Sequence, residues 1–358
     1  MHIFDTIKID INHGIKVQFF LKLVILTIII FIINFYCVND IHSYTRIMLN
    51  EMYNDGYIDI LFLGPSSTYL SFDISIIEKE TGLNAFNAGT TSQNMQGSYY
   101  LLKEANESNG IRTVFLNVSY NNTLFHLTKP LKKQTYLITD YLRNKSVNKW
   151  DYLYTAFGIE GILNEFLPFL HGSSFSPRDI KEHITGNYKN NSYKYVSYDN
   201  EAYYGQGFVY SFDVLDKNYV FDGKTNYIDP GNLISDFTLN YLFKIIEYCK
   251  KHNIELVLVI PPNLPDAALV AAQNFQRYVD AISKIAKDNN IELMNFSLAK
   301  KSVLTMERID YKDHYHLNGL GAEKFSKCFC RIINKEILDP FYSTYDQKLI
   351  NNPDDTVQ

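Results

Sequence analysis

Two short stretches, far apart in the sequence, carry residue types that together can activate an oxygen nucleophile: Gly64-Pro65-Ser66-Ser67 and Asp313-His314-Tyr315-His316. A serine hydroxyl is too weak an acid to attack a carbonyl near neutral pH unless an imidazole takes its proton. The imidazole works best when a carboxylate fixes its tautomer and stabilises its charged form. On an irregular loop leading into a helix, the D-x-x-H spacing of Asp313 and His316 lets both side chains turn towards one point. The chemistry this spells is acyl transfer, with Ser66 attacking, His316 moving the proton and Asp313 orienting His316.

Such a reaction also needs donors for the negative charge that develops on the carbonyl oxygen. Ser66 lies just past the apolar run Ile58–Leu63, where the chain must turn into a helix starting near Ser67 or Thr68, and the N–H groups of a helix start suit an oxyanion. Gly89, two residues after Ala85-Phe86-Asn87, holds the equivalent topological position and lets a second backbone N–H approach the same oxygen. Beyond the third apolar run, Asn121 and Asn122 are candidates for a side-chain donor.

These positions are set by an alternation of short apolar runs and amphipathic stretches. Ile58–Leu63, Ala85–Asn87, Thr113–Val118, Ile254–Ile260 and Ile291–Met294 read as buried strands. Gln96–Ser108, Asp236–Lys251 with Ser235 as N-cap, and Asp266–Lys287 after Pro261-Pro262 read as helices. Strand and helix alternating in this way predict an α/β layer fold with a mostly parallel sheet. Between about residues 122 and 230 the alternation fails. A helical pattern over Trp150–Leu170 and a Tyr-, Asn- and Gly-rich stretch over Asn187–Tyr227 read there as an insertion or cap. Ligands of α/β folds bind beyond the carboxyl ends of the strands, so an insertion leaving the third strand is placed to roof the site, with Tyr193, Tyr195, Tyr203 and Tyr204 as candidate sugar-stacking rings.

The run Phe19–Val38 is almost wholly apolar, and at about 1.5 Å per residue it reaches across a bilayer core of about 30 Å. It reads as a retained single-pass anchor. Lys8, Lys16 and Lys22 before or within the run, with Asn39 and Asp40 after it, place residues 1–18 in the cytoplasm and the domain over residues 39–346 outside it. The tail over residues 347–358 reads as disordered. A net charge of -5 with mixed signs offers no basic stripe for phosphates, which argues against a nucleic-acid partner. The four cysteines imply no disulfide framework, and Cys328 and Cys330 read as small core residues of a helix. Lys132 and Lys133 read as a solvated surface pair, and His126, His171 and His183 share no ligand spacing.

With these residues in view, the chain resembles the SGNH or GDSL hydrolase superfamily, and more closely its membrane-anchored branch related to the teichoic acid D-alanylation protein DltD and the alginate O-acetylation proteins. The likeness covers roughly Ile58–Leu124 and Ile254–Ile333. Gly64-Pro65-Ser66-Ser67 stands where the family has Gly-Asp-Ser, Phe72-Asp73 fits the anchored variant, and Asp313-x-x-His316 with Leu317-Asn318-x-x-Gly321 matches the block that carries the catalytic Asp and His. Pro65 departs from the usual Asp, and the family's Gly-x-Asn-Asp appears as Ser119-Tyr120-Asn121-Asn122.

The resemblance implies a three-layer α/β/α sandwich with a flavodoxin-like sheet. It implies Ser66 as nucleophile, with the Ser66 amide, Gly89 and Asn121 forming the oxyanion hole. No cofactor and no metal are implied; the expected partners are the bilayer, a cell-surface glycan or teichoic acid, and a multi-spanning O-acyltransferase. Two other readings stay open. One keeps the fold as a non-catalytic scaffold that binds a glycan or a membrane partner. The other uses Asp313, His314 and His316 as metal ligands.

Overall fold

The computed structural model describes residues 2–37, 44–119, 127–167, 200–219, 234–264, 272–344, 347–348 and 351. Five strands form one sheet in which every pairing is parallel: β1 (Ile58–Leu63), β2 (Ala85–Asn87), β3 (Ile111–Asn117), β6 (Glu255–Ile260) and β7 (Glu292–Asn295), in the order β2-β1-β3-β6-β7. The missing numbers belong to a separate antiparallel hairpin, β4 (Glu201–Gly205) and β5 (Phe208–Ser211).

The strands are apolar on both faces because both faces are covered, as parallel sheets require. Leu61, Leu63, Val114, Leu116, Leu256, Leu258 and Ile260 point into one core, shared with α2 (Tyr44–Asn54), α5 (Met95–Asn109), α9 (Asp236–His252) and α10 (Ala272–Asp288). Their neighbours Ile60, Phe62, Phe115, Val257 and Val259 point into the other, shared with α4 (Ile74–Thr81) and α11 (Gly319–Ile333). The result is a three-layer α/β/α fold with the flavodoxin-like strand order. On α11, Phe325 and Phe329 are four residues apart and so share one face. They pack edge-on or tilted against Phe72 at 5.1 and 5.3 Å, and Phe72 stacks on Phe62 at 4.1 Å. Fully burying a side chain of that size contributes about 1.5–3 kcal/mol.

Helix limits follow from caps. Asn94 accepts from the Gly97 N–H to start α5, and Ser235 accepts from the Thr238 N–H to start α9. The helical pattern expected over Trp150–Leu170 is two helices, α7 (Val147–Phe157) and α8 (Ile159–Glu165), because Gly158 at φ +64° breaks the ladder between them. Before them lies α6 (Lys132–Thr139), whose Lys132 and Lys133 are exposed. The Tyr-rich stretch contributes the β4–β5 hairpin, whose turn meets the free edge of β2: the Asn87 N–H donates to the Gln206 carbonyl at 2.9 Å. Of the expected sugar-stacking tyrosines, Tyr203 is corrected. It is buried and donates its hydroxyl to Glu51 at 2.6 Å, while Tyr204 is exposed, since adjacent strand residues face opposite ways. Tyr193 and Tyr195, like His126, His171 and His183, lie outside the described residues.

At the N-terminus, α1 (His2–Cys37) is a single 36-residue helix, starting well before the apolar run. Its window Lys16–Ile33 has a mean hydropathy of 2.4 and no buried residue, which makes it long and apolar enough to cross a bilayer. At the other end, Gln347, Lys348 and Asn351 are helical, and Lys348 donates to the Ser297 carbonyl at 2.8 Å. Residues 352–358 lie outside the described residues.

Candidate active site

The carboxyl ends of β1 and β3 meet where the strand order reverses, the place at which sheets of this kind open a crevice. Leaving β1, the chain turns through Gly64 at φ +150°, where a Cβ would stand 2.4 Å from Thr68 Oγ1 and 2.6 Å from Asn117 Cβ. Only glycine fits so tight an exit. Ser66 is itself the first residue of α3 (Ser66–Tyr69), one or two residues earlier than the sequence suggests. Pro65 precedes it without a side-chain cap, its carbonyl accepting from the Thr68 N–H at 2.7 Å.

The second half of the site is a loop closed at its base. Tyr311 and Leu317 form an antiparallel bridge, and the Lys312 N–H donates to the His316 carbonyl at 2.9 Å. Within it, Asp313 Oδ1 accepts the N–H groups of Tyr315 at 2.8 Å and of His316 at 2.9 Å, while its Oδ2 lies 2.8 Å from His316 Nδ1. Burial alone would push the Asp313 carboxyl up. The hydrogen bond and charge of His316, together with the Tyr315 N–H, outweigh burial and hold it below the usual carboxylate range. Beyond the loop, Asn318 caps α11 by accepting from the Gly321 N–H at 3.0 Å, and a Cβ on Gly321 would stand 2.0 Å from the Asp310 carbonyl oxygen. The Leu-Asn-x-x-Gly sequence is thus the cap and close contact that seat α11 against the loop.

These two halves converge. Ser66 Oγ lies 2.7 Å from His316 Nε2. With Nδ1–H directed at Asp313, Nε2 carries the lone pair that accepts the serine proton, the tautomer general-base work requires. The side chains of His316 and Asp313 are 23% and 35% exposed, so neither is sealed in the core.

On the oxyanion side, Gly89 and an asparagine at the end of β3 flank the Ser66 turn. Gly89 lies on the loop after β2 beside the Ser66 turn, where its Cβ position is 3.1 Å from Thr68 Cβ and 3.2 Å from the Gly64 carbonyl oxygen. Its N–H, however, donates to Asn87 Oδ1 at 3.1 Å, and the Asn87 amide donates in turn to the Thr68 carbonyl at 3.0 Å. Asn121 and Asn122 lie outside the described residues. Among the described residues, Asn117, the last residue of β3 and buried, reaches the turn that carries Ser66. Its Nδ2 donates to Ser67 Oγ at 3.1 Å and to Thr68 Oγ1 at 3.0 Å, while its Oδ1 accepts from the Ser119 N–H at 2.9 Å. A polar residue ending an apolar strand was the signal for it in the sequence.

The metal-ligand reading of Asp313, His314 and His316 does not fit this loop. His314 Nδ1 is 2.9 Å from the Tyr219 hydroxyl and its ring stacks on Tyr219, whereas His316 is engaged by Asp313 and Ser66. Among the described residues no three His, Cys, Asp or Glu side chains group as ligands.

No protein-family model and no curated protein matches the sequence. Among solved structures, the chain is similar to a protein described as lipolytic and of the G-D-S-L family, from Desulfitobacterium hafniense DCB-2. The TM-score is 0.34 and the identity 11%, over 76% of this chain and 98% of that one. It is also similar to the acetyl xylan esterase AlAXEase, with a TM-score of 0.37 and 14% identity over 77% of this chain and all of that one (100%).

Proposed function

We propose that this chain is a serine acyl esterase or O-acyltransferase of the SGNH type, held at the cell membrane by its N-terminal helix with the α/β domain outside the cytoplasm. One observation carries the reading: the continuous chain from Ser66 Oγ through His316 to the Asp313 carboxylate, at 2.7 and 2.8 Å. Ser66 Oγ attacks the acyl carbonyl carbon as its proton passes to His316 Nε2. Collapse of the tetrahedral adduct breaks the bond to the leaving oxygen or sulfur, which takes that proton from His316. The acyl-serine is then released to water or to a sugar hydroxyl, activated by His316 in the same way. Asp313 keeps the ring in place and balances its charge. By resemblance to the anchored branch, the acceptor is a cell-envelope polysaccharide or teichoic acid, and a multi-spanning O-acyltransferase is the partner that brings acyl groups across the membrane.

A second reading, a non-catalytic scaffold binding a glycan or that membrane partner, is favoured by the Gly89 N–H, which is spent on Asn87 rather than free for an oxyanion. Turnover of p-nitrophenyl acetate by the full-length protein separates the two. The enzyme reading expects hydrolysis that falls at least 10³-fold in Ser66→Ala and in His316→Ala, both still folded. Rates equal in wild type and both variants reject it.

A further inference from the structure

The chain enters its α/β domain at one particular end. From Cys37, where α1 stops, to Tyr44, where α2 starts, six residues intervene, so seven Cα–Cα steps allow a reach of at most about 25 Å. The far end of α2 lies at the amino edge of the sheet: Asn109, just before β3, donates its amide to the Met52 and Asp55 carbonyls, each at 2.8 Å. The near end lies at the opposite, carboxyl edge. There the Tyr44 ring meets the Tyr69 ring edge-on at 6.5 Å and stacks on Tyr203 at 6.0 Å. Tyr69 closes the short helix that Ser66 opens, and its hydroxyl is 3.4 Å from Thr91 Oγ1, on the loop that carries Gly89. The chain therefore enters the domain against Tyr69, which lies three residues, about 4.5 Å along the axis, from Ser66 on the same short helix.

We infer that the carboxyl edge of the sheet, with the mouth of the Ser66 site, is the face this domain presents to the lipid bilayer. Its substrate is accordingly an amphiphile whose acyl-bearing or acyl-accepting group sits at the membrane surface. The inference rests on the reading of Ser66 as nucleophile for its substrate class, and on the path of the chain for its orientation. A domain tethered at its amino edge would hold the same site farther from the lipid by the length of α2, whose 11 residues span about 16 Å.

Two introduced cysteines test the orientation in a Cys37→Ser background, where the three remaining cysteines are buried: Thr91→Cys at the mouth, and Gly56→Cys at the amino edge, where an added side chain meets nothing within 4 Å. Each full-length variant carries a bimane label and is reconstituted into phosphatidylcholine vesicles containing a headgroup spin-labelled lipid. The expected result is quenching at Thr91→Cys at least twofold stronger than at Gly56→Cys. Equal quenching at the two sites, or stronger quenching at Gly56→Cys, overturns the proposal. Because the readout does not involve turnover, an inactive Ser66 leaves it unaffected, and failure here leaves the enzyme reading to be judged on its own test.

Discussion

The amide of Asn117 donates to both Ser67 Oγ and Thr68 Oγ1, at 3.1 and 3.0 Å, and so ties the end of β3 to the turn that carries Ser66. Its oxygen is held by Ser119, whose N–H and hydroxyl both donate to it. Every polar atom of this buried side chain is thus engaged in positioning the turn. Asn117→Ala leaves the buried Thr68 hydroxyl and the half-buried Ser67 hydroxyl without their donor, and the expected loss is about 1–3 kcal/mol of stability, read from the urea midpoint. Because the nucleophile's turn loosens, kcat falls by about tenfold or more while KM changes little. Unchanged kcat at the lower stability makes Asn117 purely structural.

Asp313 gives a prediction in two parts. Asp313→Asn removes the carboxylate that fixes the His316 tautomer, and kcat is expected to fall by about 10²- to 10⁴-fold with the fold retained. The stability effect has a defined sign in pH. The folded carboxyl titrates below its unfolded value, so its stabilisation is fully present above about pH 4 and is lost as pH falls through the depressed folded value. The stability difference between wild type and Asp313→Asn therefore shrinks on acidification below about pH 4. Denaturation curves taken at pH 3 and pH 6 check it, and a difference that grows in acid contradicts the assignment.

The thiols of Cys249, Cys328 and Cys330 are buried, and burial pushes them up, to about 12, about 11 and about 12. At pH 8 they are protonated and out of reach, so iodoacetamide is expected to leave all three unmodified in the native protein and to alkylate them in 6 M guanidinium. Mass mapping of the peptides reads the outcome. Native-state alkylation of any of the three contradicts the packing described for α9 and α11.

Much of the fold was legible because its strands are short apolar runs closed by turn residues. Ala85–Asn87 has the limits its sequence suggests, and Ile58–Leu63 likewise, since buried parallel strands leave no doubt about which residues are apolar. The hairpin Glu201–Ser211 was hidden, because its Tyr-rich strands carry tyrosine on both the buried and the exposed face and so lack a clean alternation. The break at Gly158 was equally hidden, for a single glycine inside an amphipathic stretch is compatible with a continuous helix. At the site, residue types pointed to Ser66, Asp313 and His316, but their separation depends on how two loops are seated on the sheet. Asn117 escaped notice because it reads as the end of a strand. The engagement of the Gly89 N–H by Asn87 depends on a side-chain orientation that no spacing encodes.

The central claim, that His316 makes Ser66 a nucleophile, is tested most directly by covalent capture. The full-length protein is treated with a fluorophosphonate at pH 7.5, and its intact mass and peptide map are measured. The account predicts a single adduct on Ser66, absent in Ser66→Ala and slowed at least a hundredfold in His316→Ala. No adduct on the folded wild-type protein, or an adduct formed equally well without His316, contradicts it.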